Sequence, residues 1–446
     1  MIIITRRKFL ADAAVISAAA VMAPQLACSS GDDAQVKKWQ AMLTDPVYDL
    51  LKGKPDLDRI LKLFPRQQGE PAFDPELIRE NILKLRTIPE INTGHQFLDL
   101  SVKTALAHID ATFRADHPRY GTGVYAAPEH ETFPPVIIAT VDALSLWGMN
   151  VRAAQLFKYW IVNFVRDDGT IKYYGPSLSE YGQLLHTADI LEARAGREGW
   201  WDECFQKLDN IAEYLLRLHS DALKEDGLIT GVPEADTREN VARYFHNNGW
   251  VARGLNEWAG LCDRTKATPS TSAGTVRSSA GRLTEDTLAA INRTWPSESS
   301  DWWLPARTGI LPHPEDMTDG NEASYTNYRY WPELLSSGIL PPAMANRLVE
   351  ARLNHGGQFC GMTRFMDWLD DWPLTDYLYA LWSLDRRDDF LFSLYGHVAY
   401  HQCAEHLTSY EQFNFPGDPG GSKRADYCLP AQLVAARGGR LLNRES

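Results

Sequence analysis

The stretch EYGQLLHTADILEARAGREGWWDECFQKLDNIAEYLLRLHSDALKEDGLIT, residues 180–230, carries the pattern that decides the fold. Its segments 180–195 and 201–218 repeat apolar residues every three or four positions, which is typical of amphipathic helices. The stretch ends in Asp-Gly-Leu-Ile at 226–229, and Asp-Gly-Thr-Ile at 168–171 ends the preceding pair of helical segments. Asp-Gly favours a turn. Because each of the two turns follows a pair of helical segments, they indicate an internal repeat of helical hairpins.

The same periodicity predicts ten further helices along the chain. They span residues 97–113, 133–147, 151–164, 248–261, 283–295, 324–335, 342–353, 374–384, 390–406 and 429–442. Segments 137–147 and 374–382 are apolar on most faces, whereas 201–218 and 342–353 have clear charged faces. Helices that are apolar all round belong inside a fold. Twelve helices that alternate between inner and outer positions predict an all-α (α/α)6 barrel of six hairpins with few strands.

The N-terminus predicts export by the twin-arginine route. Arg6 and Arg7 precede an Ala-rich segment that is too short to span a bilayer as a stable helix. Leu-Ala-Cys at 26–28 resembles a lipobox, which would make Cys28 a lipidated first residue; ordinary cleavage nearby is the alternative. We therefore expect a signal at 1–28, a tether at 29–45 and a single barrel domain with an N-terminal helical extension at 46–446. The mature protein would be a periplasmic or outer-membrane, cell-surface lipoprotein, with membrane contact only through this anchor.

Composition excludes some partners and favours others. The formal net charge of −13 makes nucleic acid an unlikely partner. The chain contains 14 Trp, more than packing alone calls for, and aromatic faces stack on sugar rings.

The cysteines are widely spaced without a CxxC pair, so neither a zinc knuckle nor a disulfide framework is indicated. His397, His401 and Glu405 have helical spacing compatible with a metal face, but they fall on a predicted outer helix, so no metal and no cofactor are expected.

Six loops lead into the predicted inner helices and gather polar residues at one end of the barrel. These loops contain residues 129–131, 174–181, 231–250, 317–331, 364–376 and 408–430. All six carry acidic residues, and all but the first two combine them with several aromatics. Helix N-termini also point their positive ends at this rim. The rim is therefore the predicted binding site.

The helix count, the repeated Asp-Gly turns and the acid-rich loops resemble the six-hairpin glycosidase superfamily, which includes glucoamylases, over roughly residues 97–442. Glucoamylase-type enzymes place a general acid before the third inner helix and a general base, in a Glu-Gln motif, before the sixth. The resemblance implies that Glu411, followed by Gln412, is the base and that Glu239 is the acid. Arg238 stands where those enzymes have a tryptophan, so Asp236 and Glu234 remain alternatives for the acid.

The chemistry of glycoside hydrolysis favours the same arrangement. One carboxyl must stay protonated to act on the leaving oxygen, while an ionised carboxylate activates water on the opposite face of the sugar. Inverting enzymes separate the two by roughly 6.5–9.5 Å. Loops before the third and sixth inner helices lie opposite each other in a six-fold ring, so this separation is attainable. The sequence thus predicts an inverting two-carboxylate mechanism.

Further rim residues are candidates for substrate binding through aromatic stacking or hydrogen bonds to hydroxyls. They are Tyr174, Glu180, His246, Asn247, Trp250, Tyr328, Trp331, Asp367, Trp368, Asp371, Trp372 and Tyr410. Glu180 could instead cap its own helix, because acids favour the first turn. Asp367, Asp370 and Asp371 form either a sugar subsite beside Trp368 and Trp372 or a helix-start cluster. If two of His246, His401 and His406 formed a proton-transferring pair, as in epimerase relatives of the superfamily, the reaction would shift towards isomerisation.

The predicted function is an exported glycoside hydrolase that cleaves an oligo- or polysaccharide. A polysaccharide lyase or a glycoside phosphorylase on the same barrel is the enzymatic alternative, although an acidic rim disfavours both polyanions and phosphate. A non-catalytic glycan-binding lipoprotein is the alternative from a different class. It would need the aromatic residues but not two opposed carboxylates.

Overall fold

The computed structural model describes residues 88–121, 130–173, 175, 177–233, 240–309, 312–366, 368–403, 406–414 and 427–442. The predicted signal, tether and N-terminal extension therefore lie outside the described residues, as does Cys28. None of the described helices combines the length and apolar character needed to cross a membrane.

Fourteen α-helices and two short π-helical turns occur in the described part of the chain. The helices are α1 Gln96–Thr112, α2 Pro134–Leu146, α3 Asn150–Phe164, α4 Leu178–Ala195, α5 Trp201–Ala222, α6 Phe245–Thr265, α7 Ala273–Thr294, α8 Gly320–Tyr325, α9 Trp331–Ser336, α10 Pro342–Asn354, α11 Leu374–Ser383, α12 Arg387–Gly396, α13 Leu429–Gln432 and α14 Val434–Leu442. The π turns are π1 Thr326–Tyr330 and π2 His397–His401. All twelve predicted helical segments are present, three of them divided into shorter pieces.

The helices form a closed ring of six hairpins. The inner helices α2, α4, α6, α9, α11 and α14 each pack against the next, and α14 returns to α2. Helices α3, α5, α7, α10 and α12 each follow an inner helix in the chain as its outer partner, and α1 packs against α14 to complete the sixth hairpin. The predicted (α/α)6 barrel is confirmed.

Burial explains which helices are inner. All but one of the thirteen residues of α2 are buried, including polar Thr140 and Asp142, so no face of this helix meets solvent. In contrast, α5 buries one stripe that includes Leu208 and Leu215 and leaves its charged residues outside. Complete burial of one such leucine side chain stabilises the fold by roughly 1.5–3 kcal/mol.

A small antiparallel sheet covers part of the rim. Its strands are β1 Gln358–Phe359, β2 Met362–Phe365, β3 Trp368–Asp370 and β4 Gln412–Asn414, in that order. Strand β4 comes from the sixth rim loop and pairs with β3 of the fifth, so that Asp370 lies opposite Gln412. This pairing joins two loops that are separated by a complete hairpin in the sequence.

Candidate active site

Glu411 lies immediately before β4, at the end of the barrel where the inner helices begin. We call this end the mouth, defined by the N-termini of the inner helices. The Glu411 side chain is almost wholly buried, with the residue 8% exposed. The Tyr120 hydroxyl donates a hydrogen bond to Glu411 Oε1 at 3.0 Å. Tyr120 is itself anchored, because its carbonyl accepts from the Leu429 amide at the start of α13.

Asp370 is a second carboxyl in this part of the mouth. It is fully buried at the end of β3. Gln412 Nε2 donates to its Oδ2 at 3.0 Å, and the Trp372 amide donates to its Oδ1 at 3.1 Å. Burial raises the pKa of Asp370 to about 8, although these two hydrogen bonds act in the opposite direction. A carboxyl in this state is protonated at neutral pH and can donate a hydrogen bond.

The sequence predicted Asp370 together with Asp367 and Asp371, either as a sugar subsite or as a helix-start cluster, without distinguishing it from the other two. Its environment depends on the pairing of β3 with β4. No local pattern in the sequence signals that pairing. The burial and hydrogen bonds of Asp370 become recognisable only once these tertiary neighbours are known.

Aromatic rings surround the two carboxyls. Phe133 contacts Tyr120 with ring centroids 5.3 Å apart and stacks on Trp372 at 5.7 Å. Tyr328 packs against Trp372 at 6.4 Å and hydrogen-bonds to Asp370. The structure therefore brings Glu411, Tyr328 and Trp372, all predicted site residues, into one neighbourhood.

His246 lies in the first turn of α6. Its ring stacks on Tyr330 with centroids 4.6 Å apart and the planes 7° from parallel. The residue is 1% exposed, and among the described residues neither ring nitrogen has a hydrogen-bond partner. Burial, aided by nearby Arg329, lowers the pKa of His246 well below its usual value, so the ring is neutral.

Glu180 belongs to a buried ionic network beneath the mouth. It forms a capping box with Ser177, whose amide donates to Glu180 Oε2 at 3.1 Å. Arg329 Nη2 donates to Glu180 Oε1 at 3.1 Å, and Arg329 also pairs with Glu333. The Arg329 guanidinium lies 4.5 Å from the centroid of the Trp372 ring. Glu180 thus caps its helix and pairs with the Arg329 guanidinium that contacts the Trp372 ring.

Three other predicted binding residues have structural contacts of their own. Asn247 Oδ1 accepts from the Ser177 hydroxyl at 2.6 Å, and its Nδ2 donates to the Val232 carbonyl. Trp331 is buried, and its Nε1 donates to the Leu304 carbonyl at 3.0 Å. Trp250 stands one turn inside α6, with Arg253 4.9 Å from its ring. The contacts of Asn247 and Trp331 connect inner helices to the loops before them.

A cavity of about 720 Å³ lies among the inner helices, and neither Glu411 nor Asp370 is one of the described residues that line it. Each inner helix contributes to its wall, through residues that include Ile138, Gln183, Trp250, Glu333, Tyr379 and Arg437. Trp372 and Arg329, which border the mouth, also line this cavity.

Asp371 points in a different direction from Asp370, as expected for neighbours at a strand end. Its Oδ1 accepts from the Thr363 amide at 2.8 Å, and its Oδ2 lies 3.0 Å from His397 Nδ1. His401 Nε2 donates to the Tyr410 carbonyl at 2.8 Å. Trp368 is half-buried and packs on Phe365. Asp371 therefore contacts buried histidines, and Tyr410 joins the same cluster through its backbone.

Several predicted residues cannot be located. Glu239 and Asp236, with the alternative acid Glu234, lie outside the described residues, as do Tyr174 and Asp367. The identity of the general acid therefore stays a prediction.

Comparison with known proteins supports the fold. No protein-family model matches the chain, and no curated protein matches it in sequence. Solved structures do match. A glycosidase variant superposes with a TM-score of 0.56 at 12% identity, covering 83% of this chain and 99% of that one. A bacterial glucoamylase complexed with acarbose gives 0.55 at 11% identity, covering 80% and 56%.

A third similar structure belongs to the metal-independent α-mannosidases, from Streptococcus pneumoniae. Its TM-score is 0.53 at 11% identity, with 84% of this chain and all of that chain covered. At such low identity the similarity shows the fold. The chain is an (α/α)6 barrel that distantly resembles the six-hairpin glycosidases, including the glucoamylase type, as the sequence predicted.

Proposed function

We propose that this protein is a glycoside hydrolase that cleaves an oligo- or polysaccharide and that Glu411 is its general base. The observation that carries the proposal is the environment of Glu411. This carboxyl is almost wholly buried, receives the Tyr120 hydroxyl at 3.0 Å and lies at the mouth of the barrel. A carboxylate in this environment is well placed to accept a proton from water.

The aromatic surroundings support a sugar as the substrate. Trp372, Tyr328 and Phe133 enclose the carboxyls with apolar ring faces and edges. Structures with the same fold contain different sugars: rhamnose in a rhamnosidase from Klebsiella oxytoca, α-1,6-mannobiose in the mannosidase and acarbose in the glucoamylase. We therefore propose a carbohydrate without naming the sugar.

The proposed mechanism is inverting. Glu411 removes a proton from a water molecule, which attacks the anomeric carbon while a second carboxyl protonates the leaving oxygen. Glu239, with Asp236 as its alternative, is proposed for that second role from its loop before α6. Asp370, as a buried neighbour of Gln412, is suited to hydrogen-bond a sugar hydroxyl. NMR of the first-formed product is expected to show inverted anomeric configuration, and retention would contradict this mechanism.

We also propose export by the twin-arginine route and lipidation at Cys28. The supporting observations are the twin arginines and the Leu-Ala-Cys motif at 26–28. Mass spectrometry of the membrane fraction would detect diacylglycerol on Cys28. An unmodified mature N-terminus elsewhere would refute the anchor.

The central test substitutes Glu411→Gln, which keeps the size of the side chain and removes the base. The mature protein is incubated with a panel of bacterial and plant polysaccharides, and products are separated by chromatography. On any glycan that the wild type cleaves, the variant is expected to lose about 10²–10⁴-fold in kcat while still binding. Glu203→Gln, on the outer face of α5, is the matched control and is expected to retain activity.

Three outcomes would decide against the proposal. Full activity of the Glu411→Gln variant would remove Glu411 from the mechanism. Binding of a glycan by wild type and variant alike, with no cleavage by either, would favour the glycan-binding alternative. Unsaturated products would instead indicate a lyase.

A further inference from the structure

A cluster of one carboxylate and two imidazoles lies behind the mouth. It consists of Asp371, which follows β3, and His397 and His401 of π2. All three side chains are 0% exposed. Asp371 Oδ2 lies 3.0 Å from His397 Nδ1 and 3.6 Å from His401 Nδ1. The three atoms that could bind an ion all lie within 4.8 Å of one another.

The outward-facing atoms of the cluster are already held by other groups. Asp371 Oδ1 accepts from the Thr363 amide at 2.8 Å. His397 Nε2 is 3.3 Å from the Ser409 hydroxyl, and His401 Nε2 is 2.8 Å from the Tyr410 carbonyl. A carbonyl only accepts, so the His401 proton resides on Nε2 in this contact. The lone pair of His401 Nδ1 is therefore directed to the side of the ring where Asp371 lies.

This pattern is the one found around bound metal ions. A histidine that ligates a metal donates its other ring N–H to a carbonyl, a carboxylate or water, which fixes the tautomer and the ring orientation. Zinc bonds of about 2.0–2.2 Å in tetrahedral geometry place ligand atoms about 3.3 Å apart. The two measured separations from Asp371 Oδ2, 3.0 and 3.6 Å, lie on either side of that distance.

The donor types indicate which ions fit. Calcium and magnesium prefer oxygen donors throughout, whereas two imidazoles and one carboxylate suit first-row transition ions.

Charged groups of both signs lie near the cluster. The buried Arg352 guanidinium interacts with Asp371 and hydrogen-bonds to Thr363 Oγ1 at 3.0 Å. Negative charge comes from Asp371 itself and from Glu411, which follows the Tyr410 carbonyl.

We propose that Asp371, His397 and His401 bind one divalent first-row transition-metal ion, represented in our test by zinc. Three protein ligands leave the fourth tetrahedral position to a water molecule. Because all three ligands are fully buried, we expect the ion to stabilise the fold rather than to meet substrate. The ion would join π2 to the end of β3 and, through His401 and the Tyr410 carbonyl, to the segment that carries Glu411. The proposal does not depend on the reaction that the protein performs.

The sequence analysis expected no metal because it considered His397 and His401 together with Glu405 on an outer helix. The structure supplies Asp371 as the third donor, from a loop 26 residues before His397. No spacing rule connects these positions. The combination becomes visible only when π2 packs against the end of the sheet.

The test measures metal content directly. Untagged wild-type protein is purified without chelator, passed through gel filtration and analysed by inductively coupled plasma mass spectrometry. We expect close to one equivalent of a transition metal per chain. After dialysis against EDTA the melting temperature is expected to fall by about 5 °C or more, and one equivalent of zinc should restore it.

Matched variants locate the site. Asp371→Asn and His401→Gln are expected to lose the bound metal and the response to zinc, whereas His108→Gln, outside the cluster, should keep both. Cobalt substituted for zinc should give visible absorption bands in wild type and in the His108→Gln variant only.

The wild-type measurement decides the question even if a cluster variant fails to fold. Less than about 0.1 equivalent of metal, both as purified and after incubation with zinc and gel filtration, would overturn the proposal. A melting temperature unaffected by EDTA and zinc would do the same. Equal zinc retention by wild type and by folded cluster variants would show that the metal binds elsewhere.

Discussion

Tyr120 and Glu411 form the residue contact on which the proposed chemistry depends. They are 291 positions apart in the sequence, so no local pattern relates them. Glu411 was predicted from its place in the sixth rim loop, and the structure puts it at the mouth. Tyr120 was not predicted, because a tyrosine in the segment between α1 and α2 carries no signal of its partner.

Replacing Tyr120 with Phe removes the hydroxyl that orients Glu411 and leaves the ring packing in place. A hydrogen bond to a charged group contributes about 1.5–3 kcal/mol. We therefore expect Tyr120→Phe to lower kcat roughly tenfold to a hundredfold, with little change in KM, on any glycan that the wild type cleaves. Tyr214→Phe on α5 is the control. Unchanged kcat in a folded Tyr120→Phe variant would show that the contact does not orient the base.

Two other predicted binding residues make structural contacts, and their role in sugar binding stays a prediction. Glu180 caps α4 and pairs with Arg329, and Asn247 links Ser177 to the Val232 carbonyl. A sequence cannot separate these roles from sugar binding, because both use the same polar side chains on the same loops. The distinction depends on which partner lies within hydrogen-bond distance.

Among the elements, α4 and α6 approach each other most closely, and glycines make this possible. A Cβ at Gly254 of α6 would lie 2.4 Å from the Gly182 carbonyl oxygen of α4. A Cβ at Gly182 would lie 2.0 Å from the Trp250 carbonyl oxygen. Real Cβ atoms cannot approach backbone so closely. The two helices cross where neither has a side chain.

We expect Gly254→Ala to destabilise the protein by about 3 kcal/mol or more, since backbone cannot move aside in a packed core. The control is Gly281→Ala on the exposed face of α7, where an added Cβ meets no atom within 4 Å. That substitution should stabilise by roughly 0.5–1 kcal/mol, because alanine loses less entropy in a helix. Urea unfolding of both variants measures the difference. Equal stability of the two variants would contradict the close crossing.

At the scale of the whole molecule, Asp142 links four inner helices across the cavity that lies among them. From α2 it accepts hydrogen bonds from Arg194 of α4 at 2.9 Å, from Tyr379 of α11, and from Arg437 of α14 at 2.7 Å. Burial alone would raise the pKa of Asp142. Arg437, Arg194 and the Tyr379 hydroxyl outweigh burial and lower it well below the usual value.

Asp142→Asn is expected to destabilise the protein by about 3 kcal/mol at pH 7, because two partly buried guanidinium groups lose their shared, buried counter-charge. A carboxyl with a lowered folded pKa stabilises the protein above its unfolded pKa of 3.8, and this contribution is lost as the pH falls below that value. The difference between wild type and variant should therefore shrink below about pH 4.

Thermal and urea unfolding at pH 7 and pH 3 test this expectation. Asp189→Asn, which removes a more exposed pair with Arg264, should cost much less. A difference that is constant from pH 7 to pH 3 would mean that the Asp142 charge does not stabilise the ring.

The sequence by itself determined the twelve helical segments, their inner or outer character and hence the barrel. These properties rest on apolar spacing within three or four residues and on Asp-Gly turns, which act locally. The tertiary structure alone decided that β3 pairs with β4, that Tyr120 reaches Glu411 and that Asp371 reaches His397 and His401. These contacts join distant parts of the chain, and they form because ring closure brings the fifth and sixth loops and the segment after α1 to one place.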